Sequence, residues 1–107
     1  RHQSKRRESY QGFAVLMMTS DRWQIFDKRT QLLTIGAEFE RARVWETQGD
    51  VANVRGALER ALFLIDLMLD DPKWRGDLAM LLGLRGAVGR YYVGDETRSV
   101  ALLSQAL

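Results

Sequence analysis

Hydrophobic residues recur every three or four positions along most of this chain, and almost no stretch alternates with period two. This spacing is typical of amphipathic helices rather than strands. It is clear over residues 28–47, where Leu32, Ile35, Phe39 and Ala42 share one helical face that Leu33, Ala37 and Val44 broaden. The i,i+3 pairs Glu38–Arg41 and Glu40–Arg43 are expected on the wetter side of this helix.

A second long helix is predicted over residues 51–70. Its second half, 61–69, is apolar most of the way round, which is typical of a central helix or of a seam between subunits. The polar residues of this helix fall within about 60° of one another, which predicts one solvated edge. They are Arg55, Glu59, Asp66 and Asp70.

Glycine, proline and capping residues predict where the helices begin and end. Gly49 and Asp50 fit a left-handed helix end followed by an N-cap. Asp71 fits an N-cap before Pro72, and Gly94–Asp95 repeats the pattern. We therefore predict an all-α fold, a small antiparallel bundle of four or five helices at about 21–27, 28–47, 51–70, 72–92 and 95–106. We expect residues 20–107 to form a single helical domain, and residues 1–19 to form a loose basic tail with a short apolar segment.

The positive charge of the chain is concentrated in its first eight residues. The net charge is +2, but residues 1–8 carry four cations and one anion, which leaves −1 on the rest. The basicity is therefore that of a tail and not of a folded face. With no cysteine and no apolar run near the roughly 18–20 residues that span a bilayer, we expect a cytoplasmic protein that does not enter membranes.

No group of residues makes a convincing catalytic or metal centre. His2 lies in the tail, where an imidazole has no fixed partners. The acids Glu38, Glu59, Asp66 and Asp70 lack the Glu-x-x-His pairs of di-metal bundles. The glycines of "GLRGAVGR" (83–90) match neither phosphate-loop pattern, and close helix packing or a kink explains them better. We predict no enzyme activity, no cofactor and no metal.

Arginine and aromatic residues gather near predicted helix ends, with 13 arginines against 3 lysines. Both residue types are frequent in binding hot spots and on single-stranded nucleic acid. The alternative is that tryptophans cover the bundle ends while arginines pair with acids. The predicted partner-binding residues are Arg43, Trp45, Trp74, Arg75, Arg85 and Tyr92.

The segment "ARVWETQGDVANVRGALERAL" (42–62) resembles a tetratricopeptide unit in its Trp, its turn Gly and its alanines. The period of about 34 residues does not recur, so a repeat array is not supported. The helical HEPN domains are similar in architecture, but their nuclease motif, Arg followed closely by His, is absent from 20–107. No family is assigned on these resemblances.

The sequence favours a non-enzymatic helical protein that acts through protein–protein contacts and self-associates. The physical reason is the apolar surface of 61–69 together with "FAVLMM" (13–18), which a chain of this length is not expected to cover alone. The alternative is an accessory domain that binds nucleic acid or nucleotides through the basic tail and the Arg/aromatic surface. The protein partner is not identified by the sequence.

Overall fold

The computed structural model describes residues 17–107, which fold into helices without a strand. The α-helices are α1 (Ser20–Gln24), α2 (Lys28–Thr47), α3 (Val51–Leu69) and α4 (Leu78–Tyr92). Two 3-10 helices, η1 (Pro72–Asp77) and η2 (Val100–Ala106), precede and follow α4. The protein is a small all-α bundle, as the periodicity predicts.

Short side chains cap the helices at the positions that the sequence indicates. Asp50 accepts a hydrogen bond from the backbone N–H of Asn53 at the start of α3. Asp71 accepts one from the N–H of Lys73 at the start of η1, and Pro72 follows as the first helical residue. Such bonds satisfy backbone donors that have no partner inside the helix. Gly49 (φ +69°) ends α2 in the left-handed conformation.

The three long helices run antiparallel, with α3 between α2 and α4. The three residues 48–50 join α2 to α3, so short a connection that the two helices must be neighbours. Between α3 and α4, Glu59 contacts Tyr92 and Asp66 contacts Arg85, so residue numbers rise in one helix as they fall in the other. The polar edge predicted for α3 is confirmed, because its four members are exposed.

One hydrophobic core runs through the bundle, and α3 supplies more of it than any other helix. Full burial of a large aliphatic side chain stabilises the fold by about 1.5–3 kcal/mol, so α3 dominates the packing energy. The core contains Trp23, Ile35, Phe39, Ala42, Ala57, Leu58, Ala61, Leu64, Ile65, Met68, Trp74, Leu81, Leu84, Val88, Val100 and Leu103.

The helix boundaries differ from the prediction at both sides of α4. The helix expected from Pro72 begins as the 3-10 helix η1 and becomes an α-helix only at Leu78. Asp77, at this junction, forms no cap hydrogen bond and instead accepts one from Lys28 Nζ at 2.7 Å. The helix expected over 95–106 is the 3-10 helix η2, and Ser99 caps it in place of Asp95. Thr19 caps α1, where its side chain accepts a hydrogen bond from the backbone N–H of Arg22.

The inward face of α2 differs from the predicted one. Ile35, Phe39 and Ala42 are buried as expected, but Leu33 is 62% exposed and Val44 also lies at the surface. Both lie about 180° round the helix from the core side, because successive residues are about 100° apart. Two apolar stripes therefore run along α2, and only one of them is covered by α3 and η2.

Glu38 was expected on the wetter side of α2 and is instead 1% exposed. It follows Ile35 by three residues and precedes Ala42 by four, so it belongs to the buried stripe. The guanidinium of Arg60 donates from Nε to both Glu38 oxygens at 3.0 and 3.1 Å, and Arg41 lies 3.4 Å away. These cations compensate the burial of the carboxylate, which would otherwise be strongly unfavourable.

Residues 61–69 of α3 are largely covered by other described residues, although four of their apolar side chains are only partly buried. Ala61, Leu64, Ile65 and Met68 are buried, and the other apolar residues of this stretch are partly buried against the core. Of the segment 13–18, residues 13–16 lie outside the described range, as does the tail at 1–8. Met18 packs against the core. Among the helices of 17–107, none has the length and apolar character needed to cross a bilayer.

Candidate functional site

The side of α4 turned away from α3 is an uncharged surface, which we call the α4 outer face. Its centre, at Ala79, Gly83 and Gly86, is opposite the buried residues Leu81, Leu84 and Val88, and the exposed Arg90 lies at its C-terminal end. Leu78 and Gly89 lie at its edge, on the side of Arg85. Leu82, near its middle, is 56% exposed. The outer face consists of Leu78, Ala79, Leu82, Gly83, Gly86 and Gly89.

The three glycines of the α4 outer face have no neighbour that needs their small size. A β-carbon placed on Gly83 or Gly89 would meet no other described residue within 4 Å. One placed on Gly86 would meet only the Nη1 of Arg90, at the ordinary contact distance of 3.8 Å. Close packing between helices of residues 17–107 therefore does not explain these glycines. Each interior glycine costs about 1 kcal/mol relative to alanine, so the outer face lowers the stability of α4 by about 3 kcal/mol.

Spacing was the signal that could have revealed this face in the sequence. Leu78, Leu82 and Gly86 recur at intervals of four, and Gly83 and Gly86 are three apart, so all project from one side of a helix. The glycines alone predict close helix packing, and the leucines on the same side of the helix complete the face.

The six predicted partner-binding residues do not converge on one surface. Arg43 and Trp45 lie near the C-terminal end of α2, where Tyr92 at the end of α4 also lies. Trp74 and Arg75 lie in η1 at the opposite end of the bundle. Arg85 lies midway along α4 and pairs with Asp66 of α3. The arrangement offers two separated ends and not a single platform.

Trp74 is a core residue and not a surface contact. It is 2% exposed, and its indole Nε1 donates to Gln31 Oε1 at 2.5 Å. The side-chain amide of Gln31 in turn donates to the carbonyl of Trp23 at 2.8 Å. This buried chain of hydrogen bonds joins α1, α2 and η1. A partner cannot reach the Trp74 ring without opening the core, whereas the neighbouring Arg75 is exposed.

The other predicted residues are largely engaged by neighbours in the same chain. Arg85 Nε donates to Asp66 Oδ1 at 2.5 Å, and the hydrogen bond and charge of Asp66 raise the pKa of Arg85. Tyr92 donates its hydroxyl proton to Glu59 at 2.9 Å, and the guanidinium of Arg55 lies 4.2 Å from its ring centre. These contacts fit arginines that pair with acids at the surface.

Arg43 is another surface arginine held by an acid. It forms a hydrogen bond with Glu40, one turn earlier in α2. That bond and the charge of Arg43 lower the pKa of Glu40, although burial acts in the opposite direction. Exposed pairs of this kind are worth little stability, and they leave little uncompensated positive charge for an anionic partner.

The carboxylates considered as metal ligands are kept apart by the fold. Glu38 of α2 is buried against Arg41 and Arg60, whereas three other acids lie on the exposed edge of α3. These are Glu59, Asp66 and Asp70. Within residues 17–107, no three His, Cys, Asp or Glu side chains are grouped so that they could hold a metal ion. His2 lies outside the described residues.

Contacts among residues 17–107 thus do not explain the composition of the α4 outer face. Comparison with protein-family models, with curated proteins and with solved structures finds no match, so the interpretation of this surface rests on its own geometry.

Proposed function

We propose that this protein acts without catalysing a reaction, through protein–protein contact, and that it self-associates through the α4 outer face. The observation that carries the proposal is the set of three open glycines beside two exposed leucines. The glycines destabilise the helix by about 3 kcal/mol, and no contact among the described residues compensates for this. A helix that approaches from outside would gain from the missing side chains, because small residues let two backbones come close and increase dispersion contact.

A second copy of the chain is a suitable occupant because the face is self-complementary. In an antiparallel pair, Leu82 of each copy lies against Gly86 of the other, and Ala79 lies against Gly89. This arrangement fills the open positions with the exposed side chains and also opposes the helix dipoles. Such a two-fold contact is the commonest form of homo-oligomer.

The size of the face limits the strength of the association. Fifteen residues make α4 about 22 Å long, and a helix is about 10 Å wide. The contact is therefore well below the roughly 800 Å² per partner of a standard interface. We expect a weak, reversible dimer, with a Kd on the order of tens of micromolar.

The test compares two exposed leucines on different helices. Leu82→Glu places a carboxylate in the proposed contact, and Leu33→Glu makes the same change at a similarly exposed position of α2. Sedimentation equilibrium is expected to show at least a tenfold weaker association for Leu82→Glu and none for the control, because an unpaired buried charge is very unfavourable. A natural chain that stays monomeric at about 100 µM, where a dimer of this strength would be largely populated, contradicts the proposal.

The alternative, nucleic-acid binding, is favoured by the +3 charge of residues 1–8 and not by the folded body, whose net charge is −1. It predicts binding to single-stranded DNA that falls steeply with salt, because Lys and Arg release counterions from phosphates. Deletion of residues 1–8 should abolish this binding. Binding that does not depend on salt would rule the alternative out.

A further inference from the structure

The side chain of Arg90 lies along the α4 outer face. Ala79, Gly83, Gly86 and Arg90 follow one another at intervals of four, three and four residues, so they form one line on a single side of the helix. Long side chains in a helix point back toward its N-terminus and lie over the preceding turn. Accordingly, Nη1 of Arg90 lies 3.8 Å from the position that a β-carbon of Gly86 would have.

The guanidinium of Arg90 is held by no acid among residues 17–107. The other arginine of α4, Arg85, pairs with Asp66 of α3. Arg90 is exposed and forms no ion pair or side-chain hydrogen bond with a described residue. The helix backbone and the open surface of Gly86 therefore set the position of this side chain, and no charge holds it in place.

A second copy of the chain needs the surface that Arg90 covers. In the proposed antiparallel pair, Leu82 of one copy lies against Gly86 of the other, where the guanidinium lies in the single chain. A guanidinium kept between the two helices would lose its water without gaining an anion, which is strongly unfavourable. Arg90 must therefore move to the rim of the contact, where its apolar stem stays against the partner and its charge stays in water.

The charge of Arg90 also favours the antiparallel pair over a parallel one. In a parallel pair, the two copies of Arg90 would lie side by side, and like charges at that distance repel. In the antiparallel pair, they lie twelve residues apart along the contact, or about 18 Å at 1.5 Å per residue. That separation exceeds the Debye length of about 8 Å at physiological ionic strength, so the repulsion is screened.

We infer that Arg90 is a brake on self-association. Its side chain covers Gly86 in the single chain, and Leu82 of a second copy packs there only after Arg90 is displaced. The inference rests on the proposed self-association through the α4 outer face and assigns the control of its strength to one residue. Each copy contributes one arginine, so the unfavourable displacement occurs twice in every dimer.

The experiment is sedimentation equilibrium of the full-length chain with Arg90→Ala and with a matched control. The control is Arg75→Ala, the same change at an exposed arginine of η1 at the other end of the bundle. Ordering one long side chain weakens binding several-fold, so the removal of two should tighten the dimer by about fivefold or more. Arg75→Ala should leave the Kd unchanged. Arginine and alanine have similar helix propensities, so thermal unfolding of Arg90→Ala should show no loss of fold stability.

A second comparison tests whether Arg90 acts at Gly86. The methyl group of Gly86→Ala keeps Leu82 of the other copy away from this surface whether or not Arg90 is present. Arg90→Ala should therefore tighten the dimer clearly less in the Gly86→Ala chain than in the natural chain, as expected for two residues that act on one contact. An equal gain in both chains would show that Arg90 does not act through Gly86.

The outcomes separate this inference from the proposed function. A natural chain that dimerises while Arg90→Ala associates equally or more weakly overturns the brake and leaves the α4 interface in place. A natural chain and an Arg90→Ala variant that are both monomeric at about 100 µM overturn the brake and the interface together. An Arg90→Ala dimer beside a monomeric natural chain supports the brake, and it shows that the natural chain is held apart by this side chain.

Discussion

Alanine at two glycines of the α4 outer face should make the fold more stable and the self-association weaker. Gly83 and Gly86 both have ordinary helical backbone angles, since the described residues show a positive φ only at Gly49 and Gly94. A β-carbon meets no described residue within 4 Å at Gly83, and only the tip of the Arg90 side chain, at 3.8 Å, at Gly86. Alanine therefore fits both positions without displacing the backbone.

The magnitude follows from helix propensity. Each Gly→Ala change is worth up to about 1 kcal/mol, so the double variant should gain about 1–2 kcal/mol. For a domain of this size, 1 kcal/mol raises Tm by about 4–8 °C, which predicts a rise of about 5–15 °C. Thermal unfolding followed by circular dichroism at low micromolar concentration measures this, because dimerisation then contributes little.

The same two methyl groups should act in the opposite direction on the dimer. They fill the space that the partner's Leu82 is proposed to occupy, so the helices can no longer approach as closely. Sedimentation equilibrium is expected to show an association weaker by at least about threefold, in line with the cost of overpacking a tight contact. A gain in fold stability with a loss of association is a combination that a purely structural role of the glycines does not produce.

Two further glycines serve as controls. At Gly36 an added β-carbon would lie 3.2 Å from Leu107 Cδ1, so alanine should give a smaller gain or a loss. At Gly49, with φ +69°, alanine should destabilise the fold by about 1 kcal/mol. If the Gly83/Gly86 double variant is less stable than the natural chain, the outer face is not open in solution. If it is more stable but associates as before, α4 is not the interface.

Three other changes test the interior. Glu38→Gln should lower the free energy of unfolding in urea by about 2 kcal/mol, because it leaves two partly buried arginines uncompensated. Glu40→Gln, at an exposed pair, should lower it by less than about 0.5 kcal/mol, and equal effects would contradict the burial of Glu38. Trp74→Phe should lower the free energy of unfolding by about 2–3 kcal/mol, because it removes the hydrogen-bond donor to Gln31. A decrease of less than about 0.5 kcal/mol would show that this hydrogen bond does not stabilise the fold. Burial raises the pKa of Asp71, but hydrogen bonds from the neighbouring lysine and from Gln31 outweigh it and lower the pKa below its usual 3.8. The stability that Asp71 contributes is thus present above about pH 4 and lost as pH falls further, so Asp71→Asn should flatten the stability profile below pH 4.

Local physical chemistry determined most of the helix positions. The spans of α2 and α3 follow from residue spacing, and Asp50, Asp71 and Gly49 mark their ends through hydrogen bonds and backbone angles that involve only nearby residues. Such interactions act within one helical turn, so the sequence contains them in full. The all-α class and the antiparallel order follow from the same signals and from the short connection at 48–50.

The inward faces of the helices were decided only by the tertiary structure. Apolar residues occur on both sides of α2, so its periodicity does not distinguish the covered stripe of Ile35 from the exposed stripe of Leu33. Glu38 is tolerated inside because Arg60, 22 residues away in the chain, reaches it from α3. No local pattern contains that pairing.

The candidate interface is recognised only when the sequence and the tertiary structure are considered together. The glycines of α4 are visible in the sequence, where they predict close packing with some other helix. Only the packed bundle shows that no helix of residues 17–107 fills that role and that Leu82 stands exposed beside them. The reason is that helix propensity and spacing are properties of a segment, whereas the exposure of a face depends on which other segments cover it.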